Sequence, residues 1–510
     1  MKNINQIKDL IKVLKTDLHE RDEVISVSLL SALVDQSSFL LGPPGTAKSL
    51  IARRLSCAFR DAKHFEYLMQ RFSTPEEIFG PVSIAELKKD NFERKTEGYL
   101  PEADFAFLDE IWKSSPAILN TLLTIINEKI FRNGIKEIKV PLKALIAASN
   151  ETPPHGQGLE ALYDRFIMRL FVPPMEERAN FEILMQGGAV DSFITIPDEL
   201  KITNKQLDQW KKEIPESIKL SKETLNVIHD IRLELEKEEN ESLDVYISDR
   251  RWQKLSIILK ASAYFCDRKE TNLSDTLLLR HGLWTTRDNR EAIVKIVEDA
   301  VRRNGYALND SLAEFDRDKE SLEKEIQKEL YHSEDVYEKI IIKDKEYFRM
   351  TKTFESQQGY SYSPIKKEFY LPIDKFKKDQ QFYALNIDGN NSEIVCNFKG
   401  TGTCECRLNN HSYYQSITSA PDILFYKGDK KKDVNHRLIS QLQKAVEELQ
   451  LKSDSMIKEV TGHFEKFKVE LKTPFVPEHI QEIAIDAVKT MLDDLKLRRE
   501  DCNRLHKLTE

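Results

Sequence analysis

Residues able to do chemistry fall into three groups. The first is Gly42-Pro43-Pro44-Gly45-Thr46-Ala47-Lys48-Ser49, preceded by Phe39-Leu40-Leu41 and followed by Leu50-Ile51-Ala52. An apolar strand, a Gly/Pro-rich turn and a helix in that order form a phosphate-binding loop. Its glycines let several backbone N–H groups turn inward on a polyphosphate, and the following helix adds its positive end. Lys48 would reach the β- and γ-phosphates, and the Ser49 hydroxyl would ligate Mg²⁺. Ala47 stands where the general pattern has Gly, a mild replacement provided its φ is not strongly positive.

The second group is the pair Asp109-Glu110, which closes the apolar run Phe105-Ala106-Phe107-Leu108. Two carboxylates at the carboxyl end of a buried strand sit where open α/β sheets place their ligands. Asp109 would hold the Mg²⁺ shell, and Glu110 would orient or deprotonate an attacking water. The third group is scattered. Asn150 ends the run Leu145-Ile146-Ala147-Ala148-Ser149 and could polarise the same water. Arg165 and Arg169 lie four residues apart, at the end of and just beyond a predicted helix over 159–166. Either could serve as a finger for a neighbouring subunit's nucleotide, or could close a surface salt bridge with Asp164 or Glu160. Arg250 and Arg251 follow Ser248-Asp249 at a helix start, against the local dipole. A nearby phosphate would offset that placement.

The elements that must position these residues read as follows. Helical spacing covers 4–18 and 24–33, and His64 to Met69 reads as a strand. Thr74-Pro75-Glu76-Glu77 has the makings of a helix start. A polar hairpin or loop spans 81–101, a helix 111–128, and an Asn-Gly hairpin 131–141. Residues 176–305 are helix-rich, with helices at 176–185, 223–237, 248–266 and 273–283, as in a lid. Residues 312–347 are strongly charged. From Phe369 the pattern is β-like, through Gln381–Ile387, Glu393–Phe398 and Ile423–Tyr426, with a turn at Asp388-Gly389-Asn390-Asn391. Helical stripes return at 438–449 and 480–495, so charged helices flank a small β-rich module and would pack together as a stalk.

Bulk properties narrow the classes. A chain of 510 residues holds about three domains. Charged residues make up 32%, which fits long solvated helices. A net charge of −8 argues against a constitutive nucleic-acid coat. No run has the length of a transmembrane span, and the N-terminus lacks a secretory signal. Six scattered cysteines fit a reduced, cytoplasmic chain. Cys404-Glu405-Cys406 is the one close pair, and His411 alone does not complete a metal site around it; two strand residues pointing the same way is the expected reading.

Gly42 to Ser49 resembles the Walker A motif of the MoxR family of AAA+ ATPases, including the Ala before Lys. Glu97-Gly98-Tyr99-Leu100-Pro101-Glu102-Ala103 ahead of Phe107-Leu108-Asp109-Glu110 is similarly MoxR-like. Asp109 to Lys113, Ala117 to Leu123, Phe131 to Gly134 and Leu159 to Arg165 resemble the regulatory-ATPase-variant-A (RavA) branch of that family. The resemblance is specific over 20–285 and rests on layout beyond about 305. It implies an α/β fold: an AAA+ P-loop parallel-sheet core over 1–190 and an all-α lid over 191–305. A helical arm over 306–367 and 432–510 would carry a β-rich, partner-binding module at 368–431. It implies ATP and Mg²⁺ as ligands, Asn150 as sensor 1, Arg165 or Arg169 as the arginine finger, and Arg250, or its neighbour Arg251, as sensor 2. It further implies a homo-hexameric ring, a von Willebrand A partner of the ViaA type, and an inducible lysine decarboxylase bound through the β-rich module.

Those features point to ATP hydrolysis driving chaperone-like remodelling or regulation of protein partners. A nucleic-acid motor on the same core would need a basic pore loop, formed by Lys88, Lys89, Arg94 and Lys95. A third class is a scaffold whose ATP site gates assembly with little turnover.

Overall fold

The strand β1, Ser37–Leu41, is buried at every position, and the first part of the fold is arranged round it. A computed structural model describes the chain except residues 1, 155–157, 188–190, 306–308, 332–333, 338, 359–360, 376–380, 399–403, 409–416, 420–422, 428–429 and 432–433. By compactness the chain divides into two units, residues 1–310 with 455–497, and residues 311–454 with 498–510.

In the first unit, β2 (His64–Leu68), β3 (Phe105–Asp109), β6 (Ala144–Ser149) and β7 (Phe166–Phe171) join β1 in the order β2-β3-β6-β1-β7. Every pairing is parallel. The central strands β1 and β6 are buried along their whole length, as expected of parallel strands covered on both faces. Between β3 and β6 lies the hairpin β4 (Ile130–Asn133) and β5 (Lys136–Lys139). Its turn begins at Gly134, with φ of 64°, which matches the predicted Asn-Gly signal.

The helices of the core are α1 (Lys2–Lys15), α2 (Asp22–Leu33), α3 (Lys48–Cys57), α4 (Pro75–Phe79), α5 (Ile84–Leu87), α6 (Pro116–Glu128), α7 (Glu160–Tyr163) and α8 (Arg178–Gln186). The segment Val24 to Leu33 of α2 is buried throughout, because apolar and small residues surround the whole helix. The predicted helix start at Thr74 is α4: the Glu77 carboxylate accepts from the Thr74 N–H at 2.7 Å. Two predictions need correction. The sequence pattern predicts one helix over 111–128, but a 3₁₀ turn at Ile111–Lys113 precedes α6, which restarts with Pro116 in its first turn. It also predicts a helix through Phe166, but α7 ends at Tyr163 and β7 begins at Phe166. Phe166 to Phe171 is apolar except at Arg169, and it pairs with β1, Phe39 opposite Arg169.

The helices α9 (Asn204–Ser217), α10 (Lys222–Leu235), α11 (Asp249–Tyr264), α12 (Leu273–Thr276) and α13 (Arg290–Arg303) form the all-α lid. The core holds it by a polar clamp: Glu23 on α2 bonds Arg280 and His281, the latter at 2.8 Å. The segment 455–497 also belongs to this unit. Asn272 donates to the Glu470 carbonyl at 2.8 Å, and Ser262 lies 3.2 Å from Thr473.

The second unit contains α14 (Asn309–Leu330) and the parts of α15 (His436–Glu470) and α16 (Glu478–Thr509) outside 455–497. Ion pairs lace these helices: Arg498–Asp316 at 2.9 Å, Lys319–Asp501 at 2.8 Å, Lys452–Asp318 at 3.0 Å and Arg499–Asp454 at 2.6 Å. Charged helices before and after the β module do therefore pack on one another.

The β module starts earlier in the chain than the pattern predicts. Strands begin at β8 (Glu334–Tyr337), which pairs with β16 (Ile423–Lys427). β9 (Lys339–Ile342), β10 (Lys345–Gln358), β11 (Ser361–Pro372), β12 (Gln381–Leu385), β13 (Asn391–Phe398), β14 (Cys404–Leu408) and β15 (Ile417–Ser419) form an antiparallel sheet in reverse chain order. The predicted turn after β12 is present, with Gly389 at φ of 77°. The stretch 339–367 was expected to be helical arm. It is strand because Phe348, Met350 and Phe354 alternate into a buried face while the residues between them carry charge or hydroxyls.

Candidate nucleotide site

The phosphate loop leaves the carboxyl end of β1. The Gly42 N–H donates to the Ser149 carbonyl at 3.1 Å, and Val172 N–H donates to the Leu41 carbonyl at 2.7 Å. The loop is thereby tied to both neighbouring strands. A Cβ on Gly42 would stand 2.2 Å from the Val172 oxygen, so close backbone approach requires glycine there. Gly45 turns with φ of 80°, and Pro43, Pro44 and Gly45 form the rim. The Thr46 hydroxyl donates to the Pro43 carbonyl at 2.9 Å. Ala47 has φ of 69° and ψ of 23°. The condition set for a mild replacement is not met: Ala47 occupies the left-handed region, which costs a non-glycine residue about 1–2 kcal/mol.

Lys48 opens α3. It is buried, and its Nζ donates to the Gly42 and Pro43 carbonyls at 2.7 and 2.8 Å. Burial pushes its amine below the ordinary lysine range, against the pull of Asp109 and Glu110. Ser49 Oγ lies 3.5 Å from Asp109 Oδ2. The proposed Mg²⁺ ligands, far apart in sequence, therefore meet. The other Asp109 oxygen accepts the Glu110 N–H at 3.0 Å. Glu110 itself is left-handed, φ 53°. Its Oε2 is buried without a hydrogen-bond partner. Lys113 Nζ stands 3.3 Å from that oxygen, an ion contact rather than a hydrogen bond. Asn150, exposed, follows the end of β6, which lies between β1 and β3.

Two hard oxygen ligands, a buried lysine and a second carboxylate held by the Lys113 ion contact fit magnesium and a nucleotide polyphosphate. The Arg21 guanidinium, which the motifs did not flag, donates to the Thr46 carbonyl at 3.3 Å and the Pro173 carbonyl at 2.8 Å. It braces the loop from outside. Lys113 was missed as well, though its place one helical turn after Glu110 was a usable signal.

The arginines lie elsewhere. Arg165 immediately precedes β7, whose first residue pairs with Ser37 at the amino end of β1. Its Nε is buried without a hydrogen-bond partner, and its Nη1 stands 3.6 Å from Asp164. Arg250 bonds Asp164 at 2.5 Å. Both line a cavity of about 470 Å³ together with Ser37, Lys129, Lys211 and Lys254. Asp35 in the same cavity pairs with Lys129 at 2.8 Å and Lys211 at 2.5 Å. Cations still outnumber the carboxylates, Asp35 within the cavity and Asp164 beside it. Burial pushes Lys254 below the usual lysine range, and Lys211, Lys129 and Arg250 add to that against Asp35. Such a cavity favours an anion.

Arg250 was expected as a sensor 2 arginine, with a phosphate nearby to offset its place at a helix start. The structure groups it with Arg165 at the opposite end of β1. Asp164 and the Ser248 cap, which accepts the Arg251 N–H at 3.2 Å, offset its place at a helix start.

Arg169 and Arg251 are buried and bonded within the chain. Arg169 is 2% exposed. Its guanidinium lies 3.7 Å over the Tyr163 ring and donates to the Trp284 carbonyl at 2.5 Å. Arg251 donates to Gly282 and Ile167 carbonyls at 2.6 and 2.9 Å. Both tie β7 to the lid.

The pore-loop residues of a nucleic-acid motor are only partly available. Arg94 bonds Glu76 and the Gly80 carbonyl, both at 2.9 Å, while Lys88 and Lys95 are exposed. Around them stand bare apolar side chains: Phe72 (92% exposed), Ile84, Leu87, Phe92 and Ile135. No described helix is long and apolar enough to cross a membrane.

Comparison with known proteins gives a consistent picture. Residues 5–212 match the family described as the MoxR domain in the MoxR-vWA-beta-propeller ternary systems. Residues 223–297 match an AAA lid domain. Two uncharacterized proteins of Methanocaldococcus jannaschii are similar. One is 37% identical over 309 residues, 60% of this chain and 76% of that one. The other is 38% identical over 294 residues, 57% and 74% respectively. Structural protein ORF618 of Acidianus two-tailed virus is 31% identical over 221 residues, 40% of this chain and 36% of its own. A solved structure from Cytophaga hutchinsonii overlaps 59% of this chain and 94% of its own, at 19% identity and a TM-score of 0.46, a likeness on which nothing further rests.

Proposed function

The chain belongs to the MoxR-type AAA+ ATPases, and from that premise we propose that it hydrolyses ATP with Mg²⁺ at the interfaces of a cytoplasmic ring and so remodels or regulates protein partners. One observation carries the reading. Lys48, Ser49, Asp109 and Glu110 gather at the carboxyl ends of β1 and β3, while Arg165 and Arg250 face a cationic cavity at the amino end of β1. One chain thus holds two halves of a site that cannot meet each other. Two chains, head to tail, complete it.

In that arrangement the loop N–H groups and Lys48 hold the β- and γ-phosphates. Ser49 and Asp109 would hold Mg²⁺, which when bound offsets phosphate charge. Glu110 takes the proton of the attacking water, and Asn150 orients that water. Arg165 of the next chain neutralises charge developing on the γ-phosphoryl, worth about 10³–10⁵ in rate, or about 4–7 kcal/mol. Arg250 joins it from the same chain.

A protein client is favoured over nucleic acid by the exposed apolar residues Phe72, Ile84, Leu87, Phe92 and Ile135 beside the would-be pore loop. The vWA component named in the matching family's description supports a vWA partner, and the RavA-like motifs narrow that proposal to the ViaA type in a hexamer. The proposed decarboxylase contact through the β-rich module is supported by shared layout alone.

Mixing tests the shared site. Glu110→Gln should bind ATP yet lose about 10²–10⁴ in turnover, and Arg165→Ala should lose about 10³–10⁵. Mixed one to one, they should recover about a quarter of wild-type turnover, because a quarter of head-to-tail interfaces pair an intact Glu110 with an intact Arg165. No recovery on mixing, with assembly intact, overturns the shared site.

A further inference from the structure

Among the described residues, one group of side chains has metal-ligand spacing: Cys396, Cys404 and Cys406 in the β-rich module. The antiparallel register sets Cys396 on β13 directly opposite Cys406 on β14. Cys404 lies two residues before Cys406, so it points to the same face. The Sγ of Cys406 lies 3.7 Å from that of Cys396 and 3.7 Å from that of Cys404. All three sulfurs fall within 4.8 Å of one another. Each cysteine is fully buried, among Phe348, Met350, Phe354, Phe369 and Phe382.

These separations have a chemical meaning. Thiolates about 2.3 Å from a common ion, at tetrahedral to trigonal angles, stand about 3.8–4.0 Å apart. A disulfide instead has its sulfurs about 2.05 Å apart, well inside the separations seen here. The cluster is thus already near the span of a metal triad. Sequence spacing pointed to Cys404 and Cys406 alone; Cys396 was hidden because strand register, not proximity in sequence, supplies it. His411, weighed as a ligand on sequence grounds, lies outside the described residues.

We propose that Cys396, Cys404 and Cys406 bind a single thiophilic d¹⁰ cation, zinc or cuprous copper, which cross-links β13 to β14. Soft thiolate donors select such ions over magnesium or calcium. On binding, each coordinating thiol gives its proton to bulk water and its sulfur lone pair to the ion, with no change of oxidation state. Three thiolates leave a net charge of −1 around zinc and −2 around cuprous copper. Zinc is therefore the less costly ion to keep among aromatic side chains.

The test uses the full chain, purified under reducing, oxygen-free conditions without chelator and analysed for metal content. The metal-free protein is then titrated with Zn²⁺, with Co²⁺ as a spectroscopic probe, and separately with Cu⁺ against a competing chelator. Expected are one equivalent of ion per chain, proton release on binding, and a sulfur-to-cobalt charge-transfer band. Cys404→Ala and Cys406→Ala should each weaken binding at least tenfold, whereas Cys57→Ala should not. Stoichiometric Cu⁺ without Zn²⁺ would support the site and name copper as its ion. Failure of the wild-type chain to bind either ion, or binding untouched by both variants, would show the thiols to be ordinary core residues and overturn the proposal. Neither outcome bears on the nucleotide site.

Discussion

Two arginines four positions apart, Arg165 and Arg169, carry the same charge and play opposite parts. Arg165 lines an open cationic cavity, with its Nη1 3.6 Å from Asp164. Arg169 is sealed between Tyr163 and the Trp284 carbonyl. Arg165→Ala should abolish turnover with little change in melting temperature. Arg169→Ala should instead destabilise the fold by about 2–4 kcal/mol, since it leaves carbonyls unpaired and a cavity behind. Thermal melts and single-turnover assays on the pair would separate them; equal loss of stability in both would contradict the assignment. The sequence alone left the choice open because Arg169 was read one helical turn beyond Arg165. On a strand, where side chains alternate by twos, that spacing has no such meaning. The phosphate loop and Asp109-Glu110 were legible because their chemistry lies in residue types at short range. The strain at Ala47 was not, because φ depends on how the loop is held between β6 and β7.

Among elements, the clamp between α2 and the lid is an electrostatic contact of Glu23 with Arg280 and His281. Burial raises the Glu23 carboxyl, but His281 and Arg280 outweigh it and hold it down to about 2. Burial also pushes His281 below its ordinary value. The sign follows from the depressed Glu23 value. The clamp's stability is fully present above the unfolded carboxyl range, near 4.5, and is lost as pH falls through about 2. The loss amounts to about 3 kcal/mol. Glu23→Gln should flatten the stability curve between those limits, measured by denaturant unfolding at each pH; an unchanged acid limb would exclude the clamp as its source. Elements were read from sequence with uneven success for a physical reason. Buried parallel strands such as β3 and β6 announce themselves as apolar runs. β10 and β11 do not, because one face carries Arg349, Lys366 and Glu368, and charge density there resembles a solvated helix.

At the level of the whole molecule, the arrangement proposed here needs more than one chain for each act of hydrolysis. Turnover per chain should therefore fall steeply on dilution below the assembly concentration, while nucleotide binding to Lys48 and its loop persists. Parallel sedimentation and ATPase measurements across a dilution series would show it, and constant specific activity in demonstrably monomeric protein would contradict it. The domain order was legible through its changes of composition, but the return of 455–497 to the first unit was not, because it rests on contacts such as Asn272 with Glu470 across long sequence separation. β1 has a mechanical consequence in such a ring. It spans five residues, about 16 Å of extended backbone, and it is bonded along both edges to β6 and β7. In the proposed assembly its carboxyl end would grip one nucleotide and its amino end would adjoin the arginines offered to the next. A rod held that way transmits displacement rather than absorbing it. Each subunit would then act as a gear tooth: loss of its own γ-phosphate would re-aim the charge that times its neighbour's turn, and hydrolysis would travel round the proposed ring in sequence instead of at random.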